Sequence, residues 1–146
     1  MFKKILYPTD FSDVSLKALG FLKQLRECGS EEVLVLHVIH EQTIVTVRGY
    51  AEGTVNVDEL EKGLVEQATK SVAEVEAELK KFDYKVKKMV NIGFPLREIL
   101  ATEKEEDISL IVIGSHGKSN LEEMFLGSVS EKVIRKCKSP VLVIKR

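Results

Sequence analysis

Gly114, Gly117 and Gly127 stand in the pattern G-x2-G-x9-G, and Ser128 follows at once. The pattern opens where the apolar run 108–113 stops and closes where a short helical period begins. An apolar run of that length between turn residues reads as a strand buried on both faces, which puts the glycines in a strand-to-helix crossover. In open α/β sheets, ligands bind outside the carboxyl ends of the strands. Residues without a side chain there let phosphate oxygens come close to the backbone. The helix start behind them adds unpaired N–H groups and a positive dipole end. The chemistry implied is a phosphate cradle. The segment Gly114-Ser-His-Gly117-Lys118-Ser119 also suggests a P-loop, but that loop needs four residues between its glycines and here there are two. Lys118 therefore reads as a solvated loop lysine.

The elements that must position this cradle alternate along the chain. Residues 3–9 form a short strand, and Ser12 or Asp13 caps a helix whose inner face is Val14, Ala18, Leu19, Leu22 and Leu25. Cys28-Gly29 ends it. Residues 33–39 are a second buried strand. Residues 41–56 carry Gly49 and Gly53 and no sustained period, which predicts a long loop. A long helix over 58–81 follows, with the stripe Leu60, Leu64, Ala68, Val72, Val75, Leu79 and Phe82. Residues 85–91 are the third strand, Pro95 starts a third helix with Leu96, Ile99 and Leu100 inward, and 108–113 is the fourth strand. The last helix spans 128–138, and the fifth strand is Val141 to Ile144. The order β-α-β-α-β-α-β-α-β predicts one α/β domain over 1–146, a five-stranded parallel sheet with helices on both faces. Strand order 3-2-1-4-5 would make strands one and four neighbours at a switch point.

Two candidate ligand residues also have a local reading. Asp10 could cap the first helix, although Ser12 and Asp13 stand ready to do so. Ser128-Val-Ser-Glu131 fits a capping box. His116 is the one histidine within the cradle. His37 and His40, at the end of strand two, read as facing the loop or solvent. The acidic run 103–107 reads as a solvated helix end and turn. Three scattered histidines and two distant cysteines make no metal site.

The glycine set, the opening Ile5-Leu-Tyr-Pro-Thr-Asp10 and the closing Ser139-Pro-Val-Leu-Val together resemble the universal stress protein family, in particular its members carrying G-x2-G-x9-G-[ST]. The resemblance covers essentially the whole chain. It implies binding of ATP or AMP, with any Mg2+ or Mn2+ carried in by the phosphates. It also implies roles for single residues: Pro8, Thr9 and Asp10 at adenine and ribose, and Val38 beside the base. Gly114 would be at the ribose or its phosphate, with Gly117, Gly127, Ser128, Val129 and Ser130 around the phosphates.

The net charge of −1 gives no electrostatic case for nucleic acid or an anionic membrane surface. No apolar run approaches the roughly 20 residues that span a bilayer. Cys28 and Cys137 form no C-x-x-C pair, consistent with a reducing, cytoplasmic setting. Strand three carries lysines, which discourage strand addition, whereas Val141–Ile144 is wholly apolar and predicts a homodimer through that edge. The expected function is therefore a nucleotide-dependent, dimeric regulatory or stress-response protein with no catalytic residue assigned. The alternative is a slow, partner-dependent ATP-hydrolysing or phosphoryl-transferring enzyme. Against it, the sequence offers neither a metal-holding acid pair nor a water-positioning carboxylate beside the cradle.

Overall fold

A computed structural model describes residues 1–50, 56–117 and 126–145. The chain runs β1 (Lys4–Pro8), α1 (Asp13–Glu27), β2 (Glu32–His40), α2 (Glu41–Tyr50), α3 (Val57–Lys81), β3 (Lys85–Gly93), α4 (Pro95–Glu105), β4 (Leu110–Gly114), α5 (Ser128–Lys136) and β5 (Val141–Ile144). The strands form one sheet in the order β3-β2-β1-β4-β5, and every pairing is parallel.

Alternation along the strands divides the core into two layers. Ile5, Tyr7, Val33, Val35 and Val112 face α1 and α3, meeting Ala18, Leu22, Val72, Val75 and Leu79. Leu6, Leu34, Leu36, Ile111 and Ile113 face the other way, onto Ile99 of α4 and Val133 of α5. Leu60, expected in the α3 stripe, is exposed.

Both ends of α1 and the start of α4 follow their sequence signals. Ser12 is the cap of α1 and accepts from the Ser15 amide. Gly29, at φ 98°, closes α1: its amide donates to Arg26 O and that of Ser30 to Leu25 O. These are the two bonds of a Schellman stop. Pro95 opens α4.

Three further expectations are corrected. Residues 41–50 are helix rather than loop; residues 51–55 lie outside the described residues. β-branched Thr43, Ile44, Val45, Thr46 and Val47 have weak helix propensity, and tertiary contact overrides it. Ile44 is buried against Ile39 and Ala68, and Arg48 pairs with Glu61 of α3 at 2.8 Å. The fourth strand begins at Leu110, two residues later than expected, because Asp107 turns the chain at φ 52°. The acidic run is more than a solvated turn. Glu103 Oε1 accepts from the amides of Lys138 and Ser139 at 2.8 and 2.6 Å, fixing the approach to β5. Glu106 bridges Lys4 and Lys87, whose ammonium groups hold its carboxyl below the ordinary value.

Candidate functional site

β1 and β4 are neighbours in the sheet, and their carboxyl ends, Pro8 and Gly114, open into two turns on the same side. The first turn is held by its own side chains. The Phe11 amide donates to Thr9 Oγ1 at 3.1 Å, and the Ser12 amide donates to Asp10 Oδ1 at 3.0 Å. This pair of short polar side chains holds Phe11 at φ 62°, a conformation that costs an ordinary residue about 1–2 kcal/mol. The His37 ring stacks on Phe11 with centroids 4.6 Å apart, and His37 Nδ1 lies 2.8 Å from Thr9 O. A carbonyl only accepts, so Nδ1 carries the hydrogen. His37 thus supports the turn after β1. His40 accepts from the Gln42 amide and meets the edge of Phe94.

Under this turn lies a buried hydroxyl chain. Tyr7 donates its phenolic hydrogen to Ser15 O, and Ser15 Oγ donates to Thr9 Oγ1, both at 2.7 Å. Burial pushes the Tyr7 phenol above its ordinary value, against the opposing pull of Ser15 and Thr9. The group stays protonated and keeps donating.

The second turn is fixed by three bonds of 2.7 Å. Ser115 N donates to Ile144 O, Gly127 N to Ser115 O, and Ser130 Oγ to Gly114 O. The last bond commits the Ser130 hydroxyl hydrogen to the end of β4. Ser128 does not cap α5: Gly127 is the N-cap, no side chain among the described residues caps the helix, and Glu131 pairs with Arg135 instead of reaching back. The capping box fails because the helix starts one residue earlier than that motif requires. The first amide with an intrahelical acceptor is that of Glu131, which donates to Gly127 O at 2.9 Å. The amides of Ser128, Val129 and Ser130 therefore have no acceptor among the described residues.

Close packing explains the three glycines. A Cβ on Gly114 would stand 3.2 Å from Ser15 N, and one on Gly127 3.2 Å from Ser115 O. One on Gly117 would stand 2.8 Å from Asp10 Oδ2. Gly114 thus admits the start of α1, Gly117 the Asp10 side chain of the first turn, and Gly127 the Ser115–His116 backbone of its own turn.

Between the turns is a cavity of about 200 Å³. All ten residues expected from the sequence line it: Pro8, Thr9, Asp10, Val38, Gly114, Gly117, Gly127, Ser128, Val129 and Ser130. Leu36, Pro95, Ile99 and Ile113 also line it, as do Ser15 and His116. The apolar residues among these came from core stripes, so only their convergence distinguishes them. The cavity combines an apolar wall with unpaired helix amides, an arrangement suited to a flat apolar ring attached to an anion. Lys118 lies outside the described residues. Among the described residues no three His, Cys, Asp or Glu side chains converge as a metal site, and no helix is long and apolar enough to cross a membrane.

An open parallel sheet with a crevice at the β1/β4 switch point is the architecture of the doubly wound α/β class, whose members take their ligands at that point. The universal stress protein family model matches residues 1–145, and the chain belongs to that family. It is 40% identical to the universal stress protein MJ0577 of Methanocaldococcus jannaschii, over 100% of this chain and 96% of that one. The solved structure of MJ0577 superposes with a TM-score of 0.87, covering 100% of this chain and 97% of the other. The universal stress protein YxiE of Bacillus subtilis is 35% identical, over 99% of this chain and 100% of its own. A structure of the Archaeoglobus fulgidus universal stress protein in complex with dAMP shares the fold at TM-score 0.65 and 21% identity, covering 99% of this chain and 98% of that one.

Proposed function

We propose that this protein binds an adenine nucleotide, ATP or AMP, in the β1/β4 crevice and acts as a cytoplasmic, nucleotide-dependent regulatory protein in the stress response. The observation that carries this reading is the uncapped start of α5, whose free amides flank a cavity with an apolar wall. Phosphate oxygens would take the amides of Ser128 and Val129 and the Ser128 hydroxyl, with Gly117 and Gly127 admitting them closely. The base would lie against Val38, Pro95 and Ile99, with Asp10 accepting from the base edge or a ribose hydroxyl. Family membership and the dAMP complex of a distant relative support the ligand class. Any Mg2+ or Mn2+ would be held through the phosphates. Mass spectrometry of small molecules released from gently purified protein tests the reading. The expected result is an adenine nucleotide at up to one per chain; a different ligand class at that occupancy would refute it.

A further inference from the structure

His116 has no counterpart in the nucleotide reading above, yet it is among the residues that line the cavity. Its Nδ1 lies 2.8 Å from Ser115 Oγ. Its Nε2 is buried and has no hydrogen-bond partner among the described residues. Native folds rarely leave a buried polar atom unmet without a use for it.

Ser115 determines which hydrogen the ring keeps. The residue is 2% exposed, and both its backbone groups are committed, N to Ile144 O and O to Gly127 N. The recorded partner of its hydroxyl is His116 Nδ1. If Nδ1 were the donor, the Ser115 hydroxyl hydrogen and the Nε2 lone pair would both be stranded. If the hydroxyl donates, Nδ1 accepts and a single N–H at Nε2 is left over. The second arrangement strands fewer groups.

An unmet donor on a residue that lines a cavity can be met by an acceptor carried in by whatever fills that cavity. His116 Cα lies against Gly127, where an added Cβ would come within 3.4 Å of it. That places the residue beside the uncapped start of α5, where an anion is favoured. We propose that His116 donates from Nε2–H to a phosphate oxygen of the bound ligand, and that Ser115 is the positioning residue that fixes this tautomer. The proposal rests on the nucleotide reading for its ligand, while the tautomer is a property of the free protein.

Both parts can be read on the full chain labelled with 15N-imidazole histidine, at pH 8, where an ordinary imidazole is neutral. The His116 signals are identified by their loss in His116→Phe. The free protein should show Nε2 protonated and Nδ1 bare, and Ser115→Ala should shift His116 toward a mixture of tautomers. Addition of ATP should move the Nε2–H signal, and addition of adenosine should not. In binding assays His116→Phe should weaken ATP by about tenfold to hundredfold, the worth of one hydrogen bond to a charged group, with adenosine unchanged. An Nδ1–H tautomer in the free protein, or equal losses for ATP and adenosine, would overturn the proposal. Should His116→Phe fail to fold, Ser115→Ala identifies the signals, and the wild-type spectra with tripolyphosphate decide. Should the wild type bind no adenine compound, the nucleotide reading fails separately. A response of Nε2–H to tripolyphosphate would still support the role of His116, and no response would overturn it.

Discussion

Asp10 and Ser128 line one cavity from two different turns, and they divide the recognition of a nucleotide between them. Asp10 Oδ1 already accepts from the Ser12 amide, so removing the side chain would damage the turn as well as any ligand contact. Asp10→Asn keeps an acceptor for Ser12 and removes the charge. In the proposed reading it weakens ATP and adenosine alike, by about 1–2 kcal/mol, because a hydrogen bond to a charged acceptor is replaced by one to a neutral acceptor. Ser128 is exposed and carries no cap bond, so Ser128→Ala should leave stability unchanged and weaken ATP alone. Calorimetric titration with ATP, adenosine and tripolyphosphate separates the two. Undiminished adenosine affinity in Asp10→Asn would remove Asp10 from base and ribose recognition. Glycine substitutions are poorer probes: Cβ atoms at Gly114 and Gly127 would crowd Ser15 and Ser115, so lost binding could reflect a shifted turn.

Among the elements, Tyr84 ties the start of β3 to α1 by donating to Leu22 O at 2.7 Å. Burial pushes its phenol up to about 12 from the ordinary 10.0. Between those values the unfolded chain has lost the hydrogen and the folded chain retains it, so stability falls as pH rises through this window. The Tyr7 phenol is raised as well and acts in the same direction. Tyr84→Phe should cost about 1 kcal/mol at neutral pH through the lost hydrogen bond, and should flatten the decline between pH 10 and 12. Urea unfolding midpoints across that range check it; parallel curves for the two proteins would contradict the assignment. The elements also show what could be read from the sequence alone. Strands of nearly continuous apolar residues, Pro95 at a helix start and Gly29 at a helix stop give local signals, and the strand order followed from putting both ligand turns in one crevice. α2 had no such signal, since its β-branched residues are helical only because Ile44 finds Ile39 and Ala68. The support given by His37 to the β1 turn and by Glu103 to the approach to β5 depends on contacts between distant segments, which spacing does not reveal.

For the whole molecule, β3 and β5 are the two edges of the sheet, and they are built differently. Lys85, Lys87 and Lys88 of β3 engage Glu32, Glu106 and Glu76. The β5 edge is Val141, Leu142, Val143 and Ile144, and its first three residues are only partly buried. Two such edges related by a two-fold axis can pair antiparallel in a closed interface. We therefore propose a homodimer through β5, which Val143→Pro should disrupt by removing a ladder donor. Sedimentation at micromolar concentration should show a dimer that this substitution dissociates; a monomeric wild type would exclude the interface. The central claim is that the β1/β4 crevice holds an adenine nucleotide, and titration calorimetry of the nucleotide-stripped protein with ATP tests it most directly. The expected result is saturable binding at one ATP per chain; a cooperatively folded protein showing no saturable ATP binding up to millimolar concentration would contradict it.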